Sequence, residues 1–474
     1  MLFNSYEFLF FFLPAALLGY FGLGCTSHSR LANLWLVLAS LFFYAWWDIS
    51  FLPILLVSIA MNYIISGRIL HHHAAGAAGR ERVWFWLGVC GNLGLLCYYK
   101  YLGFVLRNLA RAGLDVPLLH VVLPLGISFF TITQLLYLYD CHLGNVDDHD
   151  PLDYALFVSF FPHLLAGPIL YHRQMMRQFR DARLRRPDGE NMTRGFLLFL
   201  IGLTKKVVIA DAFLPVVTPV FIHPEGATLT TAWIAAICYA FELFFDFSGY
   251  SDMAVGLARM MNLQIPVNFK SPFRATSLIN FWQRWHISLT NALTVLIYTP
   301  IMQQLRTRTV GHMLFASAVT LFLVGIWHGA GWTFIAFALL HTIGIIVNHA
   351  WKYFRLPMHP VLGHALLLLF LLVTLVFFRA PGLKEALQML YAMAGGYNVD
   401  PGLGYLLLSG TVFPKAFPVA ELGIAVALVT FAPASQDIVK RLPLTRPVLA
   451  AAGIALAWCI LHLEQFTTFL YFQF

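Results

Sequence analysis

The chain has 474 residues, of which 59% are hydrophobic and only 11% are charged, and its mean hydropathy is +0.74. A water-soluble domain carries about a quarter charged residues, so this composition excludes a soluble globular protein. The net charge of +8 is spread between apolar segments, which excludes a nucleic-acid-binding domain and favours contact with anionic membrane lipids. The sequence therefore predicts an all-α, polytopic integral membrane protein.

Apolar segments recur from one end of the chain to the other. Because a hydrocarbon core of about 30 Å takes roughly 20 apolar residues to cross, we expect about eleven to thirteen hydrophobic helices. Some segments are short or broken by Gly and Pro, which favours re-entrant or kinked helices, and 260–335 is the most irregular stretch. No stretch is left for a soluble domain, so 1–474 is predicted to form one transmembrane domain. The apolar runs lie near residues 8–24, 31–47, 51–66, 83–106, 117–139, 154–170, 194–218, 230–256, 288–303, 312–327, 331–351, 361–379, 403–432 and 447–473.

The segment at about 172–190 is the clearest indication of orientation. Loops rich in Lys and Arg stay on the cytoplasmic side of a membrane, so this basic loop is predicted to be cytoplasmic. Its cations are Arg173, Arg177, Arg180, Arg183, Arg185 and Arg186.

Further along the chain, Lys205 and Lys206 follow an apolar segment. An ionisable group at membrane depth is costly unless it faces protein or water, so such residues mark candidate sites. The two lysines either mark a membrane boundary or line an entrance for an anionic ligand, such as the phosphates of a nucleotide carrier. The sequence leaves both interpretations open.

Carboxylates interrupt the aromatic run at 241–252. Glu242 and Asp246 stand at i and i+4, so on a helix they share a face and are suited to relaying protons or binding a cation. The competing interpretation, which we favour, is a scaffold in which they hydrogen-bond to broken helix ends and to nearby Lys or Arg.

The segment 281–288 concentrates aromatic and polar residues. On one continuous helix Trp282, Trp285 and His286 would fall at i, i+3 and i+4, placing both indoles on the face of the histidine. Arg284 and Ser288 complete the segment. The alternative is an interfacial aromatic belt with a snorkelling Arg284.

His328 ends a long apolar approach, because no ionisable residue lies between Met313 and Trp327. An imidazole delivered into a cavity suits general base catalysis, since its ordinary pKa lies near neutrality. A structural histidine is the alternative, but the neighbouring Trp327 and the second histidine favour a functional role. Three glycines around His328 allow close backbone approach or a break in the helix: Gly325, Gly329 and Gly331.

The residues indicate no metal site. The six cysteines are scattered without a CxxC spacing, and the triplet His71 to His73 has no partner carboxylate or cysteine in its Ala/Gly-rich loop. We therefore predict neither a bound metal nor a permanently bound cofactor.

Taken together, these segments resemble the membrane-bound O-acyltransferase superfamily, and within it the bacterial branch of alginate, peptidoglycan and cellulose acetylating membrane proteins. The resemblance covers nearly the whole chain. The D-alanylation membrane protein of teichoic acids shares the two histidine blocks and is the nearest alternative. The blocks that carry the resemblance include LASLFFYAWW at 38–47, FFPHLLAGPI at 160–169, FDFSGYSDMA at 245–254, FWQRWHISLT at 281–290 and GIWHGAGWTF at 325–334.

The resemblance implies a ring of helices around a central funnel, with both histidines near a tunnel in the region of about 260–335. It implies that His328 is the catalytic residue and His286 the second signature residue. Trp282, Arg284, Trp285, Ser288, Trp327, Asp246, Lys205 and Lys206 are then expected along the path of substrate or donor.

The function that the resemblance implies is acyl transfer. The expected enzyme is an O-acyltransferase of a bacterial inner membrane that moves an acetyl group from acetyl-CoA, or another acyl thioester, toward an extracytoplasmic polysaccharide such as cellulose or alginate. Membrane lipids, a periplasmic acetyltransferase with a Ser/His/Asp hydrolase-like site and a polysaccharide secretion complex are the expected partners. Peptidoglycan O-acetylation and teichoic acid D-alanylation remain alternatives, as do a secondary transporter or flippase and a noncatalytic scaffold.

Overall fold

The computed structural model describes residues 1–26, 30–119, 121–305, 309–397, 418–463 and 469–470. Within these ranges the regular elements are helices, and none is a strand. The all-α prediction is therefore confirmed. The chain forms two compact units, the first from Met1–Ile201 and Tyr250–Val267, the second from Gly202–Gly249 and Asn268–Phe474.

The α-helices that begin in the first unit are between four and 23 residues long. A π-helical segment at Phe8–Phe12 leads into the first α-helix, and another at Cys97–Tyr101 joins the fourth to the fifth. The α-helices that begin in its described residues are α1 (Leu13–Gly24), α2 (Arg30–Ala45), α3 (Leu52–Ala74), α4 (Ala78–Leu96), α5 (Leu102–Arg111), α6 (Ile127–His142), α7 (Pro151–Ser159), α8 (Phe161–Leu164), α9 (His172–Arg180) and α10 (Gly189–Thr204).

The longest helix in the described residues, with 32 residues, begins in the second unit. This helix continues beyond Gly249, so that its last residues belong to the first unit. The α-helices that begin in the described residues of this unit are α11 (Asp211–Ile222), α12 (Leu229–Met260), α13 (Leu278–Trp282), α14 (Ile287–Leu293), α15 (Thr299–Gln304), α16 (Val310–His328), α17 (Trp332–Tyr353), α18 (Pro360–Arg379), α19 (Leu383–Met393), α20 (Val419–Phe431), α21 (Ser435–Arg441) and α22 (Arg446–His462).

Six helical segments in the described part of the chain are long and apolar enough to cross a membrane. The pair α20 and α21, bent by 75°, would make a seventh if it is one broken span, and three apolar helices are shorter. The protein is thus polytopic, and short or broken helices account for several of the predicted apolar segments. The six segments are Ile49–Ala74, Ala78–Arg111, Leu229–Met260, Val310–His328, Trp332–Tyr353 and Pro360–Arg379.

The irregular stretch predicted at 260–335 is narrower in the structure. Residues 263–277 are mostly non-helical, and α13 to α15 are short, but α16 and α17 are regular from Val310 onward apart from the break at Gly329–Gly331. Glycine content lowers the local preference for helix without preventing it, because packing of an apolar helix outweighs propensity. Part of the apolar run predicted at 403–432 lies outside the described residues.

The basic segment at about 172–190 is ordered rather than an open loop. Its first half is α9, whose residues Met175, Met176 and Phe179 are buried. Arg180 forms an ion pair with Asp153 at 2.8 Å. The other two arginines of this helix, Arg173 and Arg177, are exposed.

Candidate active site

An apolar pocket in the second unit is lined by two histidines. Its cavity volume is about 30 Å³. Because most of its lining is hydrocarbon, the few polar atoms in it decide what a bound molecule can do there. The lining residues are Ala240, Leu243, Phe273, Phe281, Trp282, Trp285, His328, Phe337, His341, Leu371, Leu375 and Phe378.

His328 enters this pocket as the last residue of α16. The next residue, Gly329, has φ of −166° and ψ of 157°, so the chain becomes extended and the helix stops. The imidazole is 4% exposed, and its ring centroid lies 5.2 Å from those of Trp327 and Phe378. The predicted break around His328 is confirmed, and it places the imidazole at a helix end within an aromatic wall.

Gly325 lets α16 and α17 approach each other closely. A Cβ atom on Gly325 would lie 2.2 Å from Cβ and 2.6 Å from Cα of Ala338, which is far below van der Waals contact. The neighbouring atoms belong to the main chain and to a methyl group, so the helices would have to move apart. This contact fixes the last turn of α16, which carries His328.

We therefore expect Gly325→Ala to lower the free energy of unfolding by about 1–3 kcal/mol, as overpacking does in other cores. Thermal unfolding of the purified protein in detergent measures this loss. The matched control is Gly311→Ala on the same helix, where the nearest atom would lie 3.8 Å from the new Cβ. An equal loss of unfolding free energy in both variants would mean that the close approach of Gly325 to Ala338 does not stabilise the packing of α16 against α17.

His286 lies close to His328 without lining the same pocket. The indole of Trp327 contacts both imidazoles, at centroid distances of 6.3 Å to His286 and 5.2 Å to His328. The ring of Phe247 meets His286 edge-on at 4.7 Å, and the His286 side chain is fully buried. The structure therefore brings the two predicted histidines together.

The local structure predicted for this block is wrong. Trp282, Trp285 and His286 do not share a helix face, because α13 ends at Trp282 and α14 begins at Ile287. His286 has φ of 46° and ψ of 51°, a left-handed conformation that a continuous helix does not contain. Trp282 and Trp285 face the pocket from the end of α13 and from the turn that follows it.

Asn268 holds His286 in this conformation. Its Oδ1 accepts hydrogen bonds from the main-chain N–H of Ser288 at 3.1 Å and from Ser288 Oγ at 2.7 Å. The same oxygen lies 3.2 Å from Nδ1 of His286. Because an amide oxygen only accepts, Nδ1 carries the hydrogen, and the neutral imidazole has its lone pair on Nε2. Ser288 thus positions Asn268, and Asn268 fixes the tautomer of His286.

Lys206 and Asp246 form a separate buried ion pair. Lys206 Nζ lies 2.6 Å from Asp246 Oδ1 and 2.9 Å from Asp211 Oδ1. The main-chain N–H of Leu470 donates to Asp246 Oδ2 at 3.0 Å. Lys205 Nζ donates to Ser435 Oγ at 2.7 Å. These contacts join distant parts of the second unit, as expected of a scaffold.

The predicted path residues therefore divide into three groups. Trp282 and Trp285 line the pocket together with His328, and Trp327 and Ser288 contact or position the histidines. Arg284 is half-buried, and its carbonyl accepts a hydrogen bond from the N–H of Lys270 at 3.0 Å. Lys205, Lys206 and Asp246 contribute nothing to the described lining of this pocket.

Sequence analysis missed two residues of the site. His341 lies in the apolar run at 331–351 and meets the criterion of an ionisable group at membrane depth, but it stands outside the sequence blocks on which the prediction of the site rests. Asn268 acts on His286 from 18 residues away, and no sequence pattern indicates that contact.

The sequence of this chain matches one family model and is similar to several known proteins. The sequence model of the family described as "MBOAT, membrane-bound O-acyltransferase family" matches residues 43–384. The chain is 39% identical over 427 residues to a peptidoglycan O-acetyltransferase of Helicobacter pylori, covering 83% of this chain and 80% of the relative. It is 36% identical over 406 residues to a protein of Pseudomonas aeruginosa named "Probable alginate O-acetylase", covering 83% and 75%.

A more distant relative is a teichoic acid D-alanyltransferase of Streptococcus thermophilus. It is 27% identical over 241 residues, which is 48% of this chain and 57% of the relative.

Proposed function

Because this chain belongs to the membrane-bound O-acyltransferase family, we propose that it transfers acetyl groups from a cytoplasmic thioester donor, acetyl-CoA, for O-acetylation of an extracytoplasmic polysaccharide. The chain is a multi-pass membrane acyltransferase. The observation that carries the proposal is His328, a buried imidazole at a helix end in an apolar pocket. Such a setting keeps water away from a reactive acyl group.

His328 acts as the general base of the proposed reaction. The acceptor oxygen attacks the acyl carbon, so a C–O bond forms and the C–S bond to the donor breaks. The imidazole takes the hydroxyl proton and returns it to the leaving thiolate, so the products are an ester and a thiol. If the imidazole first accepts the acyl group as a nucleophile, the products are the same.

His286 orients the acceptor or donor in this proposal. Its Nδ1–H is engaged with Asn268 Oδ1, so the neutral ring presents a lone pair on Nε2 rather than a second hydrogen. A lone pair accepts a hydrogen bond from a hydroxyl or thiol but does not stabilise an oxyanion. The contacts therefore support the orienting role over stabilisation of a tetrahedral intermediate.

The proposed acyl group is acetyl rather than D-alanyl. The O-acetylating relatives match 83% of this chain, whereas the D-alanyltransferase matches 48%. Cellulose, alginate or a similar exopolysaccharide is the proposed polymer, and peptidoglycan is the alternative acceptor.

The remaining parts of the proposal concern location and partners. The enzyme lies in a bacterial inner membrane, with the basic segment at about 172–190 on the cytoplasmic side, where acetyl-CoA is found. A periplasmic acetyltransferase with a Ser/His/Asp hydrolase-like site completes delivery as part of a polysaccharide secretion complex.

Deletion of the gene should remove the O-acetyl esters from one cell-envelope or secreted polymer, and a plasmid copy should restore them. Mass analysis of purified exopolysaccharide and peptidoglycan from the two strains identifies the polymer, and ester-linked D-alanine is scored in the same samples. Loss of D-alanine instead of acetate would replace acetyl transfer by D-alanyl transfer. Identical ester content in all polymers of both strains would contradict the proposal.

A further inference from the structure

His341 is a third buried histidine of the second unit, and it lines the same pocket as His328. It lies on α17, one turn after Phe337, and its side chain is 2% exposed. Its ring centroid lies 4.2 Å from that of Phe337 and 5.5 Å from that of Trp282. The proposed function assigns it no role.

Thr374 on α18 fixes the tautomer of His341. Its Oγ1 lies 3.0 Å from His341 Nε2 and donates its only hydrogen to the helix, with the carbonyls of Phe370 and Leu371 at 2.9 and 3.2 Å. Since the hydroxyl hydrogen is already engaged, Oγ1 accepts from His341, and Nε2 carries the hydrogen. The neutral ring therefore has its lone pair on Nδ1.

Two residues that line the pocket thus each carry a buried polar atom that has no hydrogen-bond partner among the described residues. One is Nδ1 of His341, an acceptor, and the other is Nε1–H of Trp282, a donor. Leaving such atoms unsatisfied in an apolar interior is unfavourable, and a bound molecule with the complementary groups would satisfy both. An acyl thioester brings a carbonyl oxygen, and an acceptor with several hydroxyls brings a donor hydrogen besides the one that reacts.

We propose that His341 is a further substrate-binding residue of the pocket, whose Nδ1 accepts a hydrogen bond from a non-reacting hydroxyl of the bound acceptor while Trp282 Nε1–H donates to the acyl carbonyl oxygen. This inference rests on the proposed acyl transfer. His328 moves the proton in the reaction, and His341 together with Trp282 fixes the positions of the reacting groups. Correct placement of this kind is what converts binding into rate.

Two substitutions of His341 test its two ring nitrogens separately: Nδ1, which is proposed to bind the substrate, and Nε2, which contacts Thr374. The amide nitrogen of Gln reaches about the position of Nε2 and keeps a donor to Thr374, but it supplies no acceptor at Nδ1. The shorter Asn places an amide oxygen near Nδ1 and loses the contact with Thr374. We expect His341→Gln to fold like wild type and to lose about tenfold in kcat/KM. We expect His341→Asn to be less stable than His341→Gln but more active than it per folded molecule.

The experiment uses the full chain in proteoliposomes, with labelled acetyl-CoA and a hydroxyl acceptor, and follows thermal unfolding in parallel. His349→Gln, on the same helix and outside the described lining, is the control that should behave as wild type. A His341→Gln enzyme with wild-type kcat/KM would overturn the role of His341. The role would also be overturned if the Gln and Asn variants lost activity equally and in proportion to their loss of stability. If wild type transfers no acyl group from any thioester, the proposed function falls and this inference falls with it.

Discussion

His328→Ala is expected to lower acetylation of the polysaccharide by about 10²- to 10⁴-fold, because a general base typically contributes that factor to the rate. The protein should still insert and fold, since alanine at the end of α16 removes a ring from the pocket wall without burying a charge. The rate is measured as ester formed per membrane-embedded molecule. Some packing loss from the missing contacts with Trp327 and Phe378 is expected.

The control for His328 is His312→Ala, near the opposite end of α16 and outside the described pocket lining, which should retain wild-type acetylation.

His286→Ala, scored in the same way, should also be strongly impaired. Acetylation is measured together with assembly of the secretion complex. If both active-site variants assemble the complex and acetylate normally, the chain is a scaffold; if they block movement of a lipid-linked substrate but not ester formation, it is a transporter.

Sequence analysis identified a functional residue where an ionisable side chain also stands out from its neighbours in the sequence. His328 could be recognised because it follows a long run without ionisable residues and lies among glycines, and the helix end there is what that pattern predicts. The conformation of His286 could not be recognised. Helical spacing assigns Trp282 and Trp285 to its face, whereas the left-handed turn at His286 depends on Asn268, which is 18 residues away in the chain.

Contacts between distant segments explain the other omissions. His341 and Thr374 are 33 residues apart, and neither has a polar neighbour that signals the other. Lys206 and Asp246 are each conspicuous in the sequence, but their pairing is a tertiary contact between the π-helical segment Lys205–Ala210 and α12. Periodicity describes one helix at a time, so it identifies candidates without identifying partners.

Lys206→Met is expected to lower the free energy of unfolding by about 3–5 kcal/mol, because it leaves buried carboxylates without their cation. Lys206 is 1% exposed and pairs with both Asp211 and Asp246. Thermal unfolding in detergent measures the loss. The matched control is Lys205→Met, which removes the hydrogen bonds from Nζ to Ser435 at 2.7 Å and to Ser248 at 3.4 Å, and should cost about 1 kcal/mol.

Asp246→Asn then separates a scaffold from a proton or cation path. The amide keeps the shape of the carboxylate and an oxygen for the N–H of Leu470, but it removes the charge that Lys206 pairs with. A scaffold predicts lower stability with acyl transfer per folded molecule retained. A path predicts the reverse, a protein as stable as wild type that no longer transfers the acyl group. Because the Asp246 carboxylate pairs with Lys206 at 2.6 Å and is absent from the described pocket lining, we expect the result of a scaffold.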